Sequence, residues 1–392
     1  MAKPPGDRPP PILPIDQDQW REWLSGRRPA PIGVDAEIPG FEGVRLTVRE
    51  AEDSLTQAAD HLSLPRSLFS DGFNILAISG GAAGGAFGAG VLAGLTQAGK
   101  RPDFAIVTGV STGALIAPFA FLGPDWDDRL TDAYTGGYAE RAFALTRLSP
   151  AFGGGLFRAD ALEVLVNPFV DMALIEAVAR EHARGRRLLV ATTNLDTQQI
   201  SIWDMGAIAS RGGEAALNLS RNILIASASM PGIFAPRRFV FEHEGVTYEE
   251  MHVDGGVASP LFLMPAALLR WKGLGRRIRH GQIYVIVNTV LEAAPQTTAT
   301  SMPAILIRSF DTLLRYSYHQ ALAMVSTFCA AHDLPLNVAA IQPTAQNSNM
   351  MNFETGHMRR TFAEAVARAL TPDLWEHPTA AVPSDPFAFL KL

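Results

Sequence analysis

The 392-residue sequence predicts an α/β fold in which a largely parallel sheet is covered by helices on both faces. Three observations predict it. Short apolar, β-branched runs alternate with helical stretches from Phe73 onward. Two glycine-rich segments, Ser79–Gly90 and Gly109–Gly113, each follow such a run directly and lead into a helix. The stretches Gly72–Gly99 and Phe104–Gly123 carry no charge, yet glycine takes the place of too many bulky apolar side chains for membrane spans, which leaves buried strand-turn-helix units.

Taken in order, residues 1–70 form a proline-rich leader followed by a polar helical stretch around Val48–Leu62, read as an extension laid over the domain. Asn74–Ser79, Phe104–Thr108, Arg187–Thr193, Gln199–Met205 and Gln282–Asn288 read as strands, being apolar and rich in Val, Ile and Thr. Helices are expected over 86–98, 112–122, 158–166, 171–184, 214–228 and 260–272. Phe239–Tyr248 reads as a hairpin turning at Glu244-Gly245. Beyond residue 293 the chain reads as mainly helical, over Pro303–His332 and Glu354–Ala369, with one strand-like run at Asn337–Ile341. The expected division is 1–70 leader, 71–292 catalytic domain and 293–392 a helical part packed on that domain.

Composition excludes several functions. With 47% hydrophobic and 18% charged residues the chain buries a large core, and a net charge of −6 gives no basic field for a nucleic-acid backbone. The single cysteine, Cys329, excludes an intramolecular disulfide and a cysteine metal cage. The proline-rich N-terminus has no apolar core of a signal peptide, so a cytoplasmic location is expected. The basic clusters Arg184-Arg186-Arg187 and Lys272-Arg276-Arg277-Arg279 read as solvated helix ends, with peripheral contact to anionic lipid headgroups as the alternative. No HExxH or carboxylate cage is present, so neither metal nor cofactor is expected.

The chemistry concentrates in Gly109-Val110-Ser111-Thr112-Gly113. A serine between two glycines, placed at a sharp strand-to-helix turn, is what a nucleophile elbow requires, because side chains two positions either side would collide. An activated serine also needs donors for the charge that develops on a carbonyl oxygen. Thirty residues upstream, Gly80-Gly81-Ala82 opens a Gly/Ala-rich loop whose amides lead into a helix N-terminus, the arrangement of an oxyanion hole. Gly88–Ala93 also satisfies G-x-G-x-x-A spacing, which keeps a nucleotide-binding reading open, although that match begins inside the expected helix. For the base, no histidine stands out, whereas Asp254 ends an expected strand and precedes Gly255-Gly256.

These elements, in this order, resemble the patatin-like phospholipase family of lipid acyl hydrolases. The small-residue block Ala226–Pro236, which contains Pro231, agrees, and the resemblance covers about residues 73–290. It implies a three-layer α/β/α sandwich, a Ser-Asp dyad with Ser111 as nucleophile and Asp254 as general base, and an oxyanion hole at Gly80, Gly81 and Ala82. Gly85, Gly109, Gly113, Gly255, Gly256 and Pro231 become motif positions, and the implied substrate is a phospholipid or other acyl lipid, cleaved at a carboxylic ester. The family's loop has three consecutive glycines and a basic or amide residue, where this chain has Ala82 and Gly84; the hole therefore requires a negative φ at Ala82. Two further readings stay open: a Ser-Asp-His triad supplied by His280, His319 or His357, and a catalytically degenerate binding protein.

Overall fold

The structure, a computed structural model, describes residues 28–31, 34, 36–47, 74–144, 160–263, 281–292, 297–343 and 351–377. Its strands are β1 (Arg45–Thr47), β2 (Ile75–Ile78), β3 (Ile106–Val110), β4 (Arg187–Asn194), β5 (Gln199–Asp204), β6 (Arg237–His243), β7 (Val246–Asp254), β8 (Ile283–Val290) and β9 (Leu336–Ile341). The helices are α1 (Gly85–Gln97), α2 (Thr112–Leu122), α3 (Asp127–Thr135), α4 (Tyr138–Ala144), α5 (Ala161–Val166), α6 (Met172–Ala183), α7 (Met205–Arg211), α8 (Gly213–Ser227), α9 (Met302–Ala331) and α10 (Thr355–Ala369).

One sheet runs in the order β1-β5-β4-β3-β2-β8-β9. From β4 to β9 every neighbouring pair is parallel, whereas β5 joins β4, and β1 joins β5, antiparallel. The β6–β7 hairpin attaches through Thr192–Asn194 of β4, which pair with Asp254–His252 of β7. Period-two alternation divides the central strands between two cores. Leu76, Ile78, Val107 and Ile286 face one core with α1, α2 and α10, while Ile75, Ala77, Val285 and Val338 face another capped by Tyr318, Val325 and Phe328 of α9. The result is the three-layer α/β/α sandwich.

Local chemistry explains where the structure departs from the sequence reading. The N-terminal segment contributes β1 to the sheet edge, held by Arg45, whose guanidinium reaches Glu250 at 2.6 Å and the Ala36 carbonyl at 2.7 Å. A three-residue strand has too little periodicity to be read from sequence. Helices α3, α4 and α7 likewise lie outside the expected set, α7 because Asp204 ends β5 and at once caps the helix by accepting from Ala207 N–H. Residues 260–263 of the helix expected at 260–272 are not helical, and the remainder lies outside the described residues, as does the stretch expected at Val48–Leu62. Gly88–Ala93 lies inside α1, and a Cβ on Gly90 or Gly94 would come within 2.4 Å or 2.6 Å of α10, so these glycines permit a close helix crossing. Among the described residues no helix is long and apolar enough to cross a membrane.

Candidate active site

The site forms where the C-terminal ends of β2, β3, β7 and β8 meet. Ser111 ends β3 and caps α2 with φ 57° and ψ −128°, a strained conformation for a residue with a side chain. The turn is possible because a Cβ at Gly109 would lie 2.5 Å from the Gly113 carbonyl, and one at Gly113 would lie 2.3 Å from the Ile78 carbonyl. Within it Ser111 Oγ donates to Asp254 Oδ2 at 2.6 Å, and both residues are buried.

Asp254 is fixed from several directions. Its second carboxylate oxygen, Oδ1, accepts from Gly256 N–H at 2.7 Å, its backbone N–H donates to Ser229 O at 3.0 Å, and its carbonyl accepts from Thr193 Oγ1 at 2.9 Å. Gly255 lets the chain turn against β4, since a Cβ there would meet the Ala191 carbonyl at 2.4 Å. Desolvation raises the Asp254 carboxyl from 3.8 to about 7, against the lowering effect of its bonds to Ser111 and Gly256.

The Ala226–Pro236 block supports both partners. Ser111 N–H donates to Ser227 Oγ at 3.0 Å, and that hydroxyl donates to Ala191 O at 2.7 Å. Ser229 holds Asp254 through its carbonyl. Pro231 itself is exposed in the following turn, outside the site, while Met230 and Phe234 on either side of it line a cavity beside Ser111.

The glycine loop divides unequally. Gly80 N–H is bonded to Pro260 O at 3.3 Å, which removes it from the expected set of donors. The N–H groups of Gly81 and Ala82 have no acceptor among the described residues. Ala82, at the start of a short 3-10 turn over Ala82–Gly84, has φ 49°, contrary to the expected negative value, and with that φ its N–H still has no acceptor among the described residues, so the expected condition on φ is corrected. Gly81 has φ 149° and, like Gly84, would place a Cβ 2.0 Å from the Asn288 carbonyl. No basic or amide side chain therefore fits at Gly84. Asn288 braces the loop instead: Nδ2 donates to Ser79 O at 2.8 Å, and Oδ1 accepts from Gly88 N–H at 3.0 Å. At Gly85 a Cβ would fall 2.2 Å from Thr112 Oγ1, so glycine leaves room for the Thr112–Tyr134 hydroxyl pair.

A cavity opens beside Ser111. Apart from Ser111, Thr112 and Tyr134 at one end, its walls are apolar, with Leu115, Phe119, Leu165, Phe169, Leu224 and Phe234 among them. Of the histidines considered as a base, His319 Nε2 bonds Leu291 O, His357 is buried in the first turn of α10, and His280 lies outside the described residues. His252, near Asp254 in sequence, bonds Thr192 and Glu250. Sequence reasoning missed Ser227 as the support of the turn, Asn288 as the brace of the loop, and Tyr318, whose hydroxyl stands beside Gly80. Asn288 did leave a signal, as a lone amide in the otherwise apolar β8 run.

Residues 76–267 match the family model for patatin-like phospholipases, and over this segment the chain is a patatin-like phospholipase domain. Among solved structures the chain is similar to VipD from Legionella pneumophila at 12% identity and a TM-score of 0.34, covering 76% of this chain and 66% of that one. It is similar to human GIVD cytosolic phospholipase A2 at 13% identity and a TM-score of 0.39, covering 81% of this chain and 54% of that one. The chain thus spans just under two thirds of the first protein and about half of the second. No curated protein matches it.

Proposed function

We propose that this protein is a serine acyl hydrolase that cleaves carboxylic esters of phospholipids or other acyl lipids through an acyl-Ser111 intermediate. One observation carries the reading: the 2.6 Å bond from Ser111 Oγ to Asp254 Oδ2 lies at the polar end of the apolar cavity. An acyl chain in that cavity sets its ester carbonyl over Ser111, and each buried methylene contributes roughly 0.8 kcal/mol.

Asp254 takes the Ser111 proton as Oγ bonds the ester carbon. The tetrahedral oxyanion is held by the N–H groups of Gly81 and Ala82. Asp254 then returns the proton to the departing alcohol as the ester C–O bond breaks, leaving acyl-Ser111. In the second half Asp254 takes a proton from water, hydroxide adds to the acyl carbon, and the fatty acid leaves as Ser111 regains its proton. A carboxylate is a weak base for an alcohol, and raising Asp254 to about 7 narrows the gap. No histidine takes part. A cytoplasmic enzyme that meets its lipid at a membrane surface by peripheral contact fits this chemistry.

The reading is tested by incubating the protein with a mixed lipid extract and locating the trapped acyl group by mass spectrometry, alongside fluorophosphonate labelling. Acyl and label are both expected on Ser111 and absent from folded Ser111→Ala. Ester hydrolysis that survives Ser111→Ala would overturn the proposal.

A further inference from the structure

A second, smaller cavity adjoins the one beside Ser111, and apart from Ser220 its walls are apolar. Val170 and Leu224 line both cavities, so these two buried side chains form the partition between them.

Three parts of the chain carry the same progression. Along α8, Ala228 at its C-terminus, Leu224 and Ser220 are spaced four residues apart and so share one face. Ala228 lines the larger cavity, Leu224 both and Ser220 the smaller. The C-terminal end of that helix is tied to the nucleophile, since Ser227 Oγ accepts from Ser111 N–H at 3.0 Å, and the face therefore leads away from Ser111. Phe169, Val170 and Leu174 repeat the order, as do Phe119 and Pro118 on α2. The smaller cavity thus continues the line of the larger one beyond the partition.

The partition is held in place. Arg221 Nε donates to Val170 O at 2.8 Å, and an Arg129 guanidinium nitrogen donates to Phe169 O at 3.1 Å. Behind the partition Ser220 is too small to fill the space, and its buried hydroxyl has no hydrogen-bond partner among the described residues. Resting on the hydrolase reading above, we infer that Leu224, together with Val170, sets the acyl-chain length this protein accepts: the chain carried on Ser111 ends against these side chains, which shut it out of the space behind. One turn of α8, about 6 Å, separates Leu224 from Ser220. Carbon–carbon bonds near 1.5 Å advance an extended chain by about 1.3 Å per methylene, so opening the partition admits about four more carbons.

The test measures kcat/KM for p-nitrophenyl esters from butyrate to palmitate with wild type, Leu224→Ala, Val170→Ala and the double variant Leu224→Ala/Ser220→Leu. Wild type is expected to show a maximum in acyl length, and Leu224→Ala to move it by about four carbons toward longer chains. Each methylene newly buried is worth about fourfold, so the rate with an ester four carbons past the wild-type maximum, relative to the ester at that maximum, should rise by at least about 10-fold. Val170→Ala shifts the maximum in the same direction by fewer carbons. In the double variant the leucine one turn further along α8 fills the smaller cavity, and the maximum returns to its wild-type length. A wild-type profile that is flat in acyl length, a Leu224→Ala variant that loses rate equally with every ester, or a shift that persists in the double variant overturns the inference. Should Leu224→Ala fail to fold, Val170→Ala decides it by the same criterion. A wild-type protein that neither hydrolyses esters nor labels at Ser111 overturns the hydrolase reading instead.

Discussion

Replacing Asp254 by asparagine should abolish hydrolysis and, above neutral pH, stabilise the protein. The carboxyl rises from 3.8 to about 7 on folding, so the native state binds this proton more tightly than the unfolded chain. Below about pH 4 both states are protonated and the group costs nothing; the cost grows as pH rises and levels off above 7. At about 1.36 kcal/mol per pK unit, the full cost is roughly 4 kcal/mol at pH 8 and about 1.5 kcal/mol at pH 5. Asparagine is neutral throughout. Any pH-independent effect of the amide cancels when the difference between variant and wild type is compared at the two pH values. Urea denaturation should therefore show Asp254→Asn gaining about 2 to 3 kcal/mol relative to wild type between pH 5 and pH 8. Wild-type kcat/KM should rise with pH and level off above about 7, since only the carboxylate accepts the serine proton. A stability difference that does not change with pH, together with activity already at its plateau at pH 5, would refute the argument that a desolvated carboxylate drives the reaction.

Two further outcomes test the scaffold. Arg45→Ala should destabilise the fold by about 3–5 kcal/mol in urea titrations, because Glu250 stays buried without its guanidinium partner; a loss below about 1 kcal/mol would show that Asn194 and His252 suffice for Glu250. Ala82→Gly should stabilise by about 0.5–1 kcal/mol, since relief of a left-handed alanine at about 1–2 kcal/mol exceeds the added unfolded-state entropy of about 0.4–1 kcal/mol. Differential scanning calorimetry measures that change, and a lowered Tm would contradict it.

What could be read from the sequence was whatever repeats locally. The strands β2, β3, β4 and β8 declare themselves by apolar runs, and the serine turn by two glycines at fixed spacing. Asp254 could be singled out only together with the motifs that precede it, since Asp-Gly alone reads as an ordinary turn. The partners of the supporting residues could not be, because each lies far along the chain, even where a residue such as Asn288 stands out in its own strand. Asn288 meets Ser79 across 209 positions, Ser227 meets Ser111 across 116, and Arg45 meets Glu250 across 205. The sign of φ at Ala82 also escaped, since alanine by itself prefers negative φ and the value of 49° departs from that preference.

The contact of Gly84 with the Asn288 carbonyl makes one strand end serve two purposes at once. Its backbone sets the size limit at position 84, while its side chain ties down Ser79, so anything larger than glycine at 84 pushes away the amide that holds the loop.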